Sequence, residues 1–464
     1  MTRSAHGAAP LARLKPLALA FAGLACCEAT ALPAHVAQNP VPTRPALTWT
    51  VSNCNDSGAG SLRDVVDHFA VDGDTIDMTT LTCGTITLTT GAILTFANNL
   101  TIEGPGTTDL FIEGNSASRA LVHLGNGVLT VKNLSIWHGY ARSTGTDDAV
   151  GGGIASIGTV SLENVSVKYC QVAAAGTGFA RGGGVYATDV AASRSMIKYN
   201  DARTSDGFAI GGGVFARRTA TFDYSTISGN QAFANVAFKS AAGGALAYYG
   251  GVLRQSTVSG NEAGGAGGVA FVGGQSVIAQ STISGNSATE SSIGAGAHVA
   301  SPFNVVVENS TITGNLERNP TNTRYGAGLH LGNDTHATIV SSIVSGNRLD
   351  DGTALLWFSD VGGGTGSSIG GDHDLMTYSQ LTAPVDTLWT IDPGLGRLAD
   401  HGGPTMTHAL LPTSPAINAG NNVTGVPVDQ RGAGFVRVIG ANIDIGAFEF
   451  DIDDVLLADG FDRP

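Results

Sequence analysis

Ser225-Thr226-Ile227-Ser228-Gly229-Asn230 is one copy of a phrase that returns through the middle of the chain. Earlier copies are Val165 to Cys170 and Ser195 to Asn200, and later ones end at Asn261, Asn286, Asn315 and Asn347. The intervals are 30, 30, 31, 25, 29 and 32 residues, so the loops vary in length while the phrase persists. Val167, Ile197, Ile227, Val258, Ile283, Ile312 and Val344 form one apolar column, and Leu162, Ala192, Phe222, Leu253, Ile278, Val307 and Ile339 form a second, five residues earlier. Alternation along a strand puts the small residue of each copy (Val165, Ser195, Ser225, Ser256, Ser281, Ser310, Ser342) on the same inner face as the aliphatic residue two places on. The threonine or serine between them should point outward.

A period near 30 is too short for four-stranded propeller blades, and the leucine-asparagine consensus of a horseshoe is missing. The expected fold is therefore all-β: a right-handed parallel β-helix, a solenoid in which like residues stack on like, with a short N-terminal helical cap. About ten coils at roughly 4.8 Å spacing would make a rod on the order of 50 Å long. The closing asparagines, Asn200, Asn230, Asn261, Asn286, Asn315 and Asn347, are expected in left-handed turns, with their amides stacked as a structural ladder. Glycine clusters such as Gly182-Gly183-Gly184 and Gly211-Gly212-Gly213 precede a short strand in the opposite part of each repeat.

Composition agrees with close-set strands: 65 glycines and only 13% charged residues leave little material for helices with charged outer faces. The formal net charge of −14 disfavours nucleic acid and makes cations, neutral glycans or other surface proteins the easier partners. Residues 1–31 read as a signal peptide, with Arg3, Arg13 and Lys15 ahead of an apolar run and Ala29-Thr30-Ala31 at the cleavage site. Cys26 and Cys27 fit a lipoprotein signal poorly. No later stretch is long and apolar enough to span a membrane, and a secreted or outer-surface bacterial location is expected. Residues 32–45 read as a linker, 46–83 as the N-terminal cap, 84–380 as repeats, 381–450 as the C-terminal end or cap, and 451–464 as an acidic tail.

In the cap, Leu62, Val65, Val66 and Phe69 fall at helical spacing, with Arg63, Asp64, Asp67 and His68 turned outward. An exported chain permits a disulfide, and Cys54 with Cys83 is the expected pair because both lie in the cap region. Cys170 stands where later repeats have asparagine and is expected to be a buried, inert thiol.

Asn53 to Asp64, with its Ser61-Leu62-Arg63-Asp64, resembles the opening of secreted right-handed β-helix proteins that carry a choice-of-anchor Q C-terminal domain. Asp392 to Leu395, Asp400 to Thr405, Ser414 to Gly420, Asp429 to Gly432 and Asp444 to Glu449 resemble that domain. The repeats are also similar to those of polymorphic outer-membrane proteins. The resemblance implies export and β-helical architecture, not one reaction. Leu457 to Asp462 resembles a short C-terminal sorting motif.

Catalysis on such a scaffold is the alternative, as a polysaccharide lyase or glycoside hydrolase. Asp147-Asp148 lacks a following Gly-His-Gly turn, and Arg13-Leu14-Lys15 lies in the leader, so a polygalacturonase-like set is absent. No catalytic residue is assigned. Asp372-His373-Asp374 is the densest polar group and the candidate metal site, with Asp360, Asp392, His401 and His408 near in sequence. No cofactor is expected beyond calcium, for which Gly363 to Ser368 is a partial match with serine in place of the ligating carboxylate. The chain is thus expected to be a structural, adhesive or glycan-binding surface protein.

Overall fold

A computed structural model describes residues 44–452 except 238, 291–292, 319–325 and 354. The signal peptide, its cleavage site, Cys26 and Cys27, nearly all of the linker and the sorting motif lie outside the described residues. The rest is a parallel β-helix. Each turn contributes strands to a 22-stranded sheet, hereafter the long sheet, and to ten-stranded and nine-stranded sheets around a common core.

The apolar columns are pairing partners residue for residue. Ile197, Ile227, Val258, Ile283, Ile312 and Val344 lie in parallel register and are fully buried. So do Leu162, Ala192, Phe222, Leu253, Ile278, Val307 and Ile339. A parallel sheet buried on its inner face selects just such aliphatic stacks.

Two hydrogen-bonded ladders run beside these columns. In one, the backbone N–H of each small residue donates to the hydroxyl one turn on: Ser195 to Ser225 at 3.1 Å, Ser225 to Ser256 at 3.0 Å and Ser310 to Ser342 at 3.2 Å. The other is the asparagine ladder. Asn230 donates both its backbone N–H and its Nδ2 to Asn261 Oδ1, each at 2.9 Å, and Nδ2 also donates to Ile197 O. Asn261, Asn286 and Asn315 repeat the pattern.

The left-handed residue is not the asparagine. Positive φ falls one place earlier, at Tyr199, Gly229, Gly260, Gly285, Gly314 and Gly346. Glycine takes the reversed backbone, and asparagine is needed for a buried amide that satisfies inward-facing polar groups. A second left-handed column precedes the serines, at Asn164, Arg194, Tyr224, Gln255, Gln280, Asn309, Ser341 and His373, where no common residue type marks it. Each non-glycine residue there costs about 1–2 kcal/mol, which the pairing on both sides offsets.

At the N-terminal end, α1 (Leu62–His68) starts at Ser61, whose hydroxyl accepts from Asp64 N–H at 3.1 Å, and buries Leu62, Val65 and Val66 over the first turn. Phe69 ends the helix and is half exposed, its ring tilted against Trp49 at 5.3 Å, so it is not on the buried face. Arg63 is not turned to solvent either. Its guanidinium donates to Gly91 O, Ala92 O and Asp56, pinning the helix to the neighbouring turn. Cys54 and Cys83 form a disulfide.

The segment expected to close the C-terminal end does so only in its first residues, where Leu388–Trp389 pair with Leu375–Met376. From the antiparallel pair Leu395–Ala399 and Thr407–Leu410 onward, residues to 450 fold back as a strap across the outer face of the long sheet. Thr257 Oγ1 donates to Met406 O at 2.6 Å, Thr282 Oγ1 to Gln430 Oε1 at 2.6 Å, and Ala447 N–H to Thr311 Oγ1 at 3.0 Å. Thr257, Thr282 and Thr311 do point outward, but the strap buries them. Within it, Arg431 pairs with Asp429 at 2.8 Å and lies between the rings of Phe435 and Phe448, at 4.1 and 3.8 Å. The motifs around Asp429 and Asp444 thus form the strap's own polar core.

Candidate functional site

The strap reaches back to Tyr224, whose ring lies against Gly432, and there it stops. On the turns before it the outer face of the long sheet is open, and a groove of about 450 Å³ runs between Lys132 and Asp223. Its floor is a register column of outward residues one strand spacing apart, Lys132, Glu163, Ser193 and Asp223, which Glu103 continues one turn earlier. Lys132 Nζ is 2.8 Å from Glu163 Oε2, and that hydrogen bond holds the ammonium above the usual lysine range. Beside the charges stand the left-handed residues Asn133, Asn164 and Arg194. Asn164 Nδ2 donates to Asn133 Oδ1 at 2.9 Å, and the Arg194 guanidinium lies 5.3 Å over the Tyr224 ring.

The far edge of the same face carries Trp137, Lys168 and Lys198 in register, followed in the chain by His138, Tyr169 and Tyr199. Tyr169 and Tyr199 stack at 5.3 Å with a 12° tilt, and His138 stacks on Tyr169 at 5.7 Å. Stacking occludes the ring faces, so the edges and hydroxyls are what the ladder offers to a ligand. Burial holds both lysines below the ordinary range, and for Lys198 the charge of Lys168 adds to it.

The groove can bind but has no evident catalytic set. Among the described residues its close charge pair, Lys132 with Glu163, is mutually satisfied, and beside it Asn133 accepts from Asn164 and donates to Glu103. Sequence reasoning singled out none of these residues. Their signal is confined to the outward column near the end of each phrase, where Trp137, Lys168 and Lys198 give way to Ser228, Ser259, Ser284, Thr313 and Ser345; the groove column stays charged in later turns, at Arg254, Glu308 and Asp372.

The expected metal group is arranged differently from a metal site. Asp374 occupies the serine column and ends that ladder, its Oδ1 accepting Ser342 N–H at 3.1 Å. Asp372 points outward in register with Val340, and His373 takes the left-handed bend with Nδ1 3.3 Å from both Asp372 and Asp386. Asp360 ends the asparagine ladder, accepting from Asn347 N–H at 2.8 Å, and Asp392 caps Gly394. Burial pushes Asp360 up to about 6 and Asp374, fully enclosed near two other carboxylates, up to about 8. His401 hydrogen-bonds Thr407, and His408 bridges Gly396 O and Ser284 inside the strap contact. Among the described residues no three His, Cys, Asp or Glu side chains are placed to hold a metal. A larger hollow, about 700 Å³ between 367–371 and 380–386, presents Asp386 as its single charge. Asp148 pairs with Arg181 at 2.6 Å on a surface loop, and Cys170 is buried, its thiol pushed up to about 12.

No protein-family model matches the chain, and no curated protein matches it. Among solved structures it is similar to one described as the crystal structure of pectate lyase Pel9A, at 14% identity and a TM-score of 0.42, covering 88% of this chain and 98% of that one. A likeness at that level bears on neither substrate nor activity. Among the described residues no helix is long and apolar enough to cross a membrane.

Proposed function

We propose that this chain is an exported β-helix protein that binds glycans without cleaving them, on the open outer face of its long sheet. The observation that carries the reading is the division of that face. The strap covers it from Tyr224 onward with polar contacts, and leaves the earlier turns as a groove whose charges and amides repeat at one strand spacing. Such a row suits an extended, hydroxyl-rich polymer lying along the rod, since each turn offers a polar donor or acceptor to its hydroxyls. Export is supported by the leader pattern of residues 1–31, by the resemblance of the C-terminal motifs to choice-of-anchor Q proteins, and by the Cys54–Cys83 disulfide, which belongs to an oxidising compartment.

The test is affinity electrophoresis of the purified protein in gels cast with soluble polysaccharides. Retardation by at least one of them is expected, and Glu163→Gln with Lys132→Met should weaken it about ten-fold. Mobility unaffected by every polysaccharide would overturn the binding reading. Release of unsaturated or shortened oligosaccharides would replace it with an enzymatic one. Finding the chain only in the cytoplasm on fractionation would remove export.

A further inference from the structure

Lys168 and Lys198 are register partners on adjacent parallel strands, half-buried, with both ammonium groups on the outer face of the long sheet. Neither ammonium takes part in a hydrogen bond or ion pair among the described residues, although the chain carries a formal net charge of −14. The other two cations on the open face are engaged: Lys132 by Glu163, and Arg194 by the Tyr224 ring. Two like charges on strands about 4.8 Å apart repel, and among the described residues no ion pair offsets this. A second observation lies beside them. Ser166, on the same face between Asn164 and Lys168, is 1% exposed, and its Oγ has no hydrogen-bond partner. Ser143, Ser276, Ser287 and Thr387 also hold buried hydroxyls without a partner, but of these five only Ser166 lies on the strand of Lys168, two residues from it.

We infer that Lys168 and Lys198, flanked by Ser166 and the Tyr169 and Tyr199 hydroxyls, form an anion subsite that selects glycans bearing carboxylate or sulfate groups. This rests on the glycan-binding reading and narrows it. The overall negative charge points toward neutral ligands, but its effect beyond about 8 Å is screened at physiological salt, so the adjacent lysine pair governs what lies directly over it. A lysine ammonium is a compact point charge and accepts either anionic group, so the chemistry specified is the negative charge.

The experiment measures binding of the full chain to polygalacturonate (carboxylate), dextran sulfate (sulfate) and unmodified dextran (neutral) at low and high salt, with duplex DNA as a non-glycan polyanion. One or both acidic polymers should bind at least ten-fold more tightly than dextran, weakening as salt rises. The double variant Lys168→Met, Lys198→Met should lose that margin and its salt dependence, and Lys168→Arg, Lys198→Arg should keep both. Acidic binding unchanged in the methionine variant, dextran bound as well as the acidic polymers, or DNA bound as tightly as they are would each overturn the subsite while leaving glycan binding in place. No retention of any glycan would overturn both.

Discussion

At the residue scale, this protein depends on side chains that complete backbone hydrogen bonding inside the turns. Asn261 Oδ1 accepts from Asn230 N–H and Nδ2, while its own Nδ2 donates to Ile227 O and Asn286 Oδ1. Removing that amide strands several buried groups at once, so Asn261→Ala should cost about 3 kcal/mol, read from the urea midpoint, whereas an exposed asparagine such as Asn304 should change stability by less than about 0.5 kcal/mol. The two ladders end in carboxyl groups, Asp360 and Asp374, whose pKa values burial has raised to about 6 and about 8. With an unfolded value near 3.9, each group binds more proton in the folded state between that value and its folded one. Their contribution is therefore full below about pH 4 and is lost as pH rises through about 6 and then 8. Melting temperature should fall across that window, and Asp374→Asn, which keeps an oxygen for Ser342, should flatten the upper part of the fall.

At the element scale, the N-terminal cap is a short helix fastened from outside as well as packed from within. Burial works against ionising Asp56, but hydrogen bonds from Arg63, Thr90 and Thr89 prevail and hold its carboxyl well below the usual range. That contribution is present above about pH 4 and is lost as pH falls. The disulfide closes a separation of 29 residues around this helix. Replacing both cysteines by serine should lower stability by about 3 kcal/mol in the loop-entropy model, with hydrogen exchange rising first over residues 46–83. The helix was legible from its 3.6-residue spacing, while the Ser61 cap on Asp64 N–H was not read from the sequence. Arg63 was misread because its partners, Gly91 and Ala92, lie 28 and 29 residues on and are brought to it only by the next turn of the solenoid.

At the scale of the whole molecule, the strap decides which part of the outer face is available. Its buried Arg437 donates to Asn309 Oδ1 at 2.9 Å and to Asp444 O and Gly446 O, joining the strap's polar core to the solenoid beneath. Arg437→Ala should cost about 3–5 kcal/mol because it leaves Glu449 and Asn309 without this partner. Hydrogen–deuterium exchange should show protection lost over residues 400–450 and kept in the repeats. Loss across the whole chain would mean instead that strap and solenoid unfold together.

The recurring phrase by itself determined the parallel stacking, the two apolar columns and the coil length, because a short repeat that buries one face of each strand has few other ways to exclude water. The asparagine column was equally legible, though its physical role was not. A left-handed turn and a buried amide are neighbouring positions in the same phrase, and only the backbone distinguishes them. Asp372, His373 and Asp374 read as one cluster because they are adjacent in the chain. Strand alternation and the bend between them send one outward, one into the turn and one into the serine ladder. The strap and the extent of the open groove were decided by tertiary structure alone, since they depend on residues up to nearly two hundred positions apart that meet only after the solenoid has formed and the C-terminal segment has folded back along it, whereas the stacking of Lys168 on Lys198 follows from the phrase itself.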